Sequence, residues 1–140
     1  MIERTLIIIK PDGVKKGLEK SIVKRYEDAG LKMVKRKELT PALQLLKNHY
    51  SAHVAKPFYP HLEKFMSSGP VVAMIFEGLD AVATARKVTG ATDPAKADKG
   101  TIRRDFGNLS LEDDDRITMN IVHASATKEE ARKEIKLWFG

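Results

Sequence analysis

The stretch SSGPVVAMIFEGLDAVATARKVTG, residues 67–90, decides the fold. After a Ser-Ser-Gly-Pro turn, residues 71–76 are all apolar. An uninterrupted run of that length reads as a central strand covered on both faces, because a half-covered strand would alternate. From residue 79 to residue 88 the period changes to that of a helix. Ala81, Val82, Ala85 and Val88 share one face, with Arg86 at its flank.

Working outward, the chain repeats this succession of strand and helix. Residues 5–9 form an apolar run that reads as a buried strand, stopped by Pro11-Asp12-Gly13. Leu18, Ile22 and Tyr26 mark a helix face, and Gly30 ends it. Residues 31–39 read as a second strand with Leu31, Met33 and Val34 turned inward. Thr40-Pro41 is a cap followed by proline at the first helical position, and the helix runs through Leu43, Leu46 and Tyr50. Pro60 opens a short helix through Leu62, Phe65 and Met66. Residues 90–107 read as a long loop, and loops of that length are uncommon and often functional. Residues 117–124 form the fourth strand. Thr127 and Glu130 make a capping box for a last helix with Ala131, Ile135 and Trp138 on its apolar face. Four strands split by crossover helices predict an α/β (α+β sandwich) fold. It is a ferredoxin-like βαββαβ unit, a four-stranded antiparallel sheet with helices packed on one face.

The 140 residues are expected to form a single domain, 1–140, long enough to bury a core without staples. Cysteine is absent, which excludes a disulfide framework and a thiolate metal site. No stretch has the length and apolarity of a bilayer span, and the N-terminus lacks signal-peptide order. A soluble, cytoplasmic protein with no membrane partner is therefore expected. Lys and Arg number 25 against 19 Asp and Glu, a net charge of +6 that favours anionic partners. Aromatic residues make up only 6%, and no glycine- and aromatic-rich RNA-reading strand is present, so nucleic acid is not expected as the main partner.

The chemistry concentrates near the C-terminus. In ITMNIVHASATKEE, residues 117–130, His123 lies at the end of an apolar strand. An imidazole held there, one ring nitrogen toward a cleft, suits a nucleophile or general base near neutral pH. Glu134 sits near the apolar face of the last helix, where a carboxylate can accept a proton from the His123 ring and fix its tautomer. A surface ion pair with a neighbouring lysine is the other reading of Glu134. Lys10 follows the first strand directly, with its ammonium above the strand end or along the surface. Thr92, Lys96, Lys99, Thr101, Arg103 and Arg104 give the long loop the hydroxyls and cations of a phosphate cradle, without a Walker pattern; a solvated basic loop is the other reading. Asn120 and His123 stand three apart, so strict alternation places them on opposite faces. Either a bulge intervenes, or Asn120 acts from the edge or start of the strand. His49, His53 and His61 read as helix-surface or amphipathic residues and not as zinc ligands. Glu112-Asp113-Asp114-Asp115 reads as a solvated loop.

Five blocks extend this reading: ERTLIIIKPDGV (3–14), KPFYPHLEKFMSSGPVVAMIFEGLDAVATARKVTGATDP (56–94), GTIRRDF (100–106), NIVHAS (120–125) and EIKLWF (134–139). In order and approximate spacing they resemble the nucleoside diphosphate kinase family along nearly the whole chain. The resemblance implies transfer of the terminal phosphoryl group of a nucleoside triphosphate, typically ATP, to a nucleoside diphosphate. The implied route is ping-pong through a phosphohistidine, with little base specificity. By resemblance, His123 is the nucleophile through Nδ1, Glu134 orients its ring, and Ser125 is the hydroxyl partner. Lys10, Tyr50, Arg86, Thr92, Arg103 and Asn120 match the phosphate and ribose contacts, and Phe58 matches the aromatic that stacks on the base. Mg2+ is the implied cofactor, carried by the nucleotide phosphates and not by a protein metal site. A homo-oligomer is implied, a hexamer or else a tetramer or dimer. The alternative is a non-catalytic nucleotide- or nucleic-acid-binding module of the same fold. The chain departs from the family pattern at Arg104, where glycine is usual, and at Ala126, where an acidic residue often follows the serine. The segment at 107–119 is longer than the common pattern, and LWFG stands where many relatives continue into an extension that packs on a neighbour.

Overall fold

Strands β1 (Ile2–Ile9), β2 (Lys32–Leu39), β3 (Val71–Leu79) and β4 (Val122–Ala124) form one sheet in the order β2-β3-β1-β4, and every pairing is antiparallel. The computed structural model describes residues 2–107 and 120–140. Strand order and connections are those of the expected ferredoxin-like unit. The helices, however, cover both faces of the sheet. On one side, α2 (Glu19–Asp28), α5 (Ala81–Thr89) and α6 (Ile102–Phe106) pack on Ile7, Ile9, Val72, Met74 and Phe76. On the other, α3 (Leu43–His49), α4 (Tyr59–Met66) and α7 (Lys128–Phe139) pack on Leu6, Ile8, Val71 and Ala73. The expectation of a single covered face is thus corrected. The reason lies in the strands, since β1 and β3 have no polar face to offer to water. Leaving Leu6 or Ile8 exposed would forfeit roughly 1.5–3 kcal/mol per side chain.

Several element boundaries also differ from the expected ones. Pro11-Asp12-Gly13 does stop β1, but it also starts a short helix, α1 (Pro11–Lys15), with Lys10 as its N-cap and proline in its first turn. α1 closes on the sheet so tightly that a Cβ at Gly13 would stand 2.8 Å from Ile9 Cγ2 and 3.1 Å from the Ile121 carbonyl. Glycine is required there by space. Thr40-Pro41 lies outside α3, which begins at Leu43 with Ala42 as its N-cap. Leu79 belongs to β3, and Asp80, at φ 46°, turns the chain into α5. The first turn of α5 is satisfied from a distance, by Glu3 Oε1 accepting the Val82 N–H at 3.2 Å. In β2, Leu31 is buried just ahead of the strand, and a register shift between Met33 and Lys35 takes Val34 out of the ladder. The stretch 90–107 is not a structureless loop: it holds a 3-10 turn, Pro94–Lys96, and α6. Within 117–124 the strand occupies Val122–Ala124; residues 117–119 and the acidic run 112–115 lie outside the described residues. Among the described residues no helix is long and apolar enough to cross a membrane.

Candidate active site

His123 pairs with Ile8 across the β1–β4 ladder, so its side chain shares the Ile8 face of the sheet, where α3 and α7 pack. Thr127 starts α7 by accepting the Glu130 N–H at 3.0 Å. Seven residues on, about two turns, Glu134 comes to lie beside the imidazole. Its Oε1 stands 2.9 Å from His123 Nε2 and accepts a hydrogen bond from Ser125 Oγ at 2.7 Å. Ser125 Oγ in turn accepts the Leu6 N–H at 3.3 Å, which ties the group to β1. Burial pushes the Glu134 pKa up, but the hydrogen bonds from His123 and Ser125 and the electrostatics of the His123 ring outweigh it and leave the group below its usual range. Glu134 is therefore a carboxylate. A carboxylate has only acceptors, so Nε2 is the nitrogen that carries hydrogen toward Glu134, and in the neutral ring this tautomer puts the lone pair on Nδ1. That is the state a phosphoryl acceptor needs.

His49 is the residue that sequence reasoning missed. It is half-buried, its ring stands edge-on to His123 at 4.6 Å between centroids, and its Nδ1 accepts a 3.0 Å bond from Trp138 Nε1. Burial, with the neighbouring imidazole adding to it, pushes its pKa down to about 3, so it is a neutral wall of the site. The available signal was its place one residue before Tyr50, at the end of α3.

A sharp turn separates Asn120 from His123. The Val122 N–H donates to the Asn120 carbonyl at 2.8 Å around Ile121, whose φ is 74°. This is a γ-turn of the rare positive-φ kind, strained for a β-branched residue. It is held in place because the Ile121 N–H donates to Asp12 Oδ2 at 3.0 Å and the Ile121 carbonyl accepts the Lys10 N–H at 2.8 Å. Asn120 thus stands ahead of the strand, beyond the turn, which resolves the alternation. Its Oδ1 accepts from Lys10 Nζ at 2.8 Å, and its Nδ2 donates to the Thr92 carbonyl at 2.9 Å.

Two guanidinia flank the same strand. Arg103 Nη2 donates to the Val122 carbonyl at 2.8 Å and Arg86 Nη1 to the Ala124 carbonyl at 3.2 Å, on either side of His123. Arg103 is buried and its Nε is among the buried polar atoms without a hydrogen-bond partner. Burial lowers its pKa to about 10, and burial together with the Arg103 charge lowers that of Lys10 to about 8. Two buried cations, Lys10 lowered in part by Arg103 and Arg103 in part by Arg86, make a place that an anion stabilises. Tyr50 has a buried hydroxyl, also without a partner, whose pKa burial pushes up, so it stays a neutral donor. A cavity of about 260 Å³ joins Tyr50 and His49 to His123, Glu134 and Lys133. Phe58 lies just ahead of α4, partly exposed, with Lys56 Nζ 6.0 Å from its ring centre.

The comparisons with known proteins agree with this geometry. A family model described as nucleoside diphosphate kinase matches residues 3–140. The chain belongs to the nucleoside diphosphate kinase family. It is 48% identical over 138 residues to the nucleoside diphosphate kinase of Caldanaerobacter subterraneus subsp. tengcongensis, covering 99% of this chain and 94% of that one. It is 47% identical to that of Synechococcus elongatus, with 99% and 88% covered. The apo crystal structure of the Encephalitozoon cuniculi enzyme superposes with a TM-score of 0.89 at 41% identity, covering 99% and 89% of the two chains. A transition-state mimic of the Borrelia burgdorferi enzyme, with bound vanadate and ADP, does so with a TM-score of 0.90 at 39% identity, covering 99% and 88%. The chain is accordingly a nucleotide-binding phosphotransferase, which moves the terminal phosphoryl group of a nucleoside triphosphate to a nucleoside diphosphate. These matches favour the enzyme over a non-catalytic binding module.

Against the family pattern, the departures at Arg104 and Ala126 now have structural readings. Arg104 Nη1 donates to the Ala95 carbonyl at 2.9 Å, and Thr127 caps α7 without help from position 126. Thr101 serves the backbone as well, as the N-cap of α6. His49, His123 and Glu134 form a cluster whose ligand atoms lie within 4.8 Å of one another. Its imidazoles suit zinc more than magnesium, which prefers oxygen ligands. His49 Nδ1 and His123 Nε2 are already engaged by Trp138 and Glu134.

Proposed function

We propose that the transfer runs through His123 and that the residues gathered around it divide the work as follows. His123 Nδ1 attacks the terminal phosphorus of a bound nucleoside triphosphate. A P–N bond forms, the P–O bond to the β-phosphate breaks, and the nucleoside diphosphate leaves with that electron pair. A second nucleoside diphosphate reverses the step with its own terminal oxygen. No proton needs to leave Nδ1, and Nε2 keeps its proton against Glu134 throughout. The observation that carries this reading is the Nε2–Glu134 bond of 2.9 Å, which favours the neutral tautomer with its lone pair on Nδ1.

Phosphoryl transfer asks a protein mainly for positioning and for positive charge around the moving oxygens. Lys10, Arg86 and Arg103 supply charge, Asn120, Tyr50 and Thr92 supply polar contacts to phosphate and ribose, and Ser125 holds Glu134. Phe58 stacks on the base. Stacking reads no hydrogen-bonding edge, so bases are accepted with little distinction. The cationic make-up of the strand ends, with Lys10, Arg86 and Arg103, fits a nucleotide that would bring its own Mg2+, the ion supplying charge neutralisation to the phosphates. On the same reading residues 1–140 are one kinase domain, the protein is a homo-oligomer, and it works in the cytoplasm on the nucleotide pool.

The experiment is incubation with γ-labelled ATP and Mg2+. The wild type takes up an acid-labile, base-stable label that chases onto any added nucleoside diphosphate, and EDTA prevents it. His123→Asn takes up none while still binding ADP. Label on His123→Asn overturns the assignment.

A further inference from the structure

α6 carries two arginines in succession, and the fold uses them differently. Arg103 is buried and reaches the Gly90 and Val122 carbonyls at 3.1 and 2.8 Å. Arg104 instead bridges to the middle of the 3-10 turn Pro94–Lys96, donating from Nη1 to the Ala95 carbonyl at 2.9 Å.

The turn has three residues and α6 has five. Pieces this short do not persist alone, so their arrangement depends on ties to their surroundings. The α6 end is well held. Arg25 of α2 donates to the Gly100 carbonyl and to Asp105 Oδ2, both at 2.8 Å, and lies 4.7 Å from the centre of the Phe106 ring. Asp105 Oδ1 takes the Gly100 N–H at 3.1 Å. Gly107 then backs against Pro94, where a Cβ would stand 2.7 Å from Pro94 Cβ. Among the described residues, the Arg104–Ala95 bond is the one side-chain hydrogen bond that joins α6 to the turn. Just before the turn stands Thr92, whose carbonyl accepts from Asn120 Nδ2 at 2.9 Å; Asn120 Oδ1 in turn accepts from Lys10 Nζ at 2.8 Å. A chain of contacts therefore runs from Arg104 through the turn to the lysine of the phosphate site.

The geometry points to Arg104 as a positioning residue for nucleotide binding: by tying the Pro94–Lys96 turn to α6, it holds Thr92 in register with Asn120 and Lys10. This rests on the nucleotide contacts proposed above. Arg104 touches no substrate in this account, and its effect passes through the backbone of the turn.

The test compares Arg104→Ala and Arg104→Lys with the wild type. ADP affinity is read by calorimetry, KM and kcat from steady-state transfer, and backbone order from hydrogen exchange. Arg104→Ala is expected to weaken ADP binding and raise KM about two- to tenfold, the span of one lost hydrogen bond. Its kcat at saturation stays near the wild-type value, and amide exchange accelerates in residues 92–97. Arg104→Lys, which keeps a donor and the charge, recovers part of both. Two results overturn the inference: unchanged ADP affinity in Arg104→Ala, or weakened affinity with unchanged exchange in the turn. The latter marks a direct charge effect. Failure of the proposed function shows elsewhere, as a wild type that takes up no label, and the exchange comparison does not depend on that outcome.

Discussion

Lys10 shows what the site costs at the scale of one residue. Its ammonium is almost fully buried, bonded to a neutral amide oxygen and repelled by Arg103. The pKa falls from 10.5 to about 8, so the unfolded chain holds this proton more tightly than the folded one. The penalty is therefore present in full below pH 8 and fades as pH rises from about 8 toward 10.5, and its size is about 3 kcal/mol. A phosphate placed against Lys10 reverses the balance by favouring the charged form. Two outcomes are expected. ADP binding above pH 8 takes up a proton, seen by calorimetry in buffers of different ionisation enthalpy, and its affinity declines as pH rises further. Lys10→Met, measured near neutral pH without ligand, unfolds at a higher temperature than the wild type while losing proton uptake and most of its ADP affinity. A destabilised group at a binding site is the familiar exchange of stability for function.

At the scale of elements, the site hangs on where two short segments begin. α7 must start at Thr127 for Glu134 to arrive beside His123, and the Thr127 cap fixes that start. Thr127→Ala is expected to lower stability by about 1 kcal/mol in thermal or denaturant unfolding, with a smaller effect on transfer rate because Ser125 and His123 still bind Glu134. This cap and the central strand were legible in the sequence, since each follows from spacing along one element; spacing left a surface reading open for Glu134 and Lys10, and the family resemblance pointed to the site. The turn at Ile121 was not. Its positive φ is imposed by Asp12 and Lys10, more than a hundred residues away in sequence, and no local pattern announces a β-branched residue there. The burial of His49 was hidden for the same reason, because its partners Trp138 and His123 come from α7 and β4. The helical content of 90–107 was masked by its glycine, proline and charge, and its order comes from tertiary ties such as Arg25–Asp105.

At the scale of the molecule, the sheet is a partition between two cores, with the His123 side chain on one side and Arg86 and Arg103 bonded to the β4 carbonyls on either side of it. Leu6 and Ile7 are adjacent in β1, fully buried, and belong to different cores. Leu6→Ala and Ile7→Ala are each expected to cost about 2–5 kcal/mol in denaturant unfolding. A sheet covered on one face would make one of the two nearly neutral. The continuous apolar runs of β1 and β3 already carried this information, since a strand with no polar side needs two partners.

The account depends on which ring nitrogen of His123 is free, and the position of the phosphoryl group reports it directly. The phosphorylated protein, made with ATP and Mg2+ and kept at alkaline pH, can be examined by phosphorus and nitrogen NMR to locate the P–N bond. The account predicts phosphate on Nδ1 of His123, with Nε2 still protonated against Glu134. Phosphate on Nε2, or on any other side chain, would contradict it.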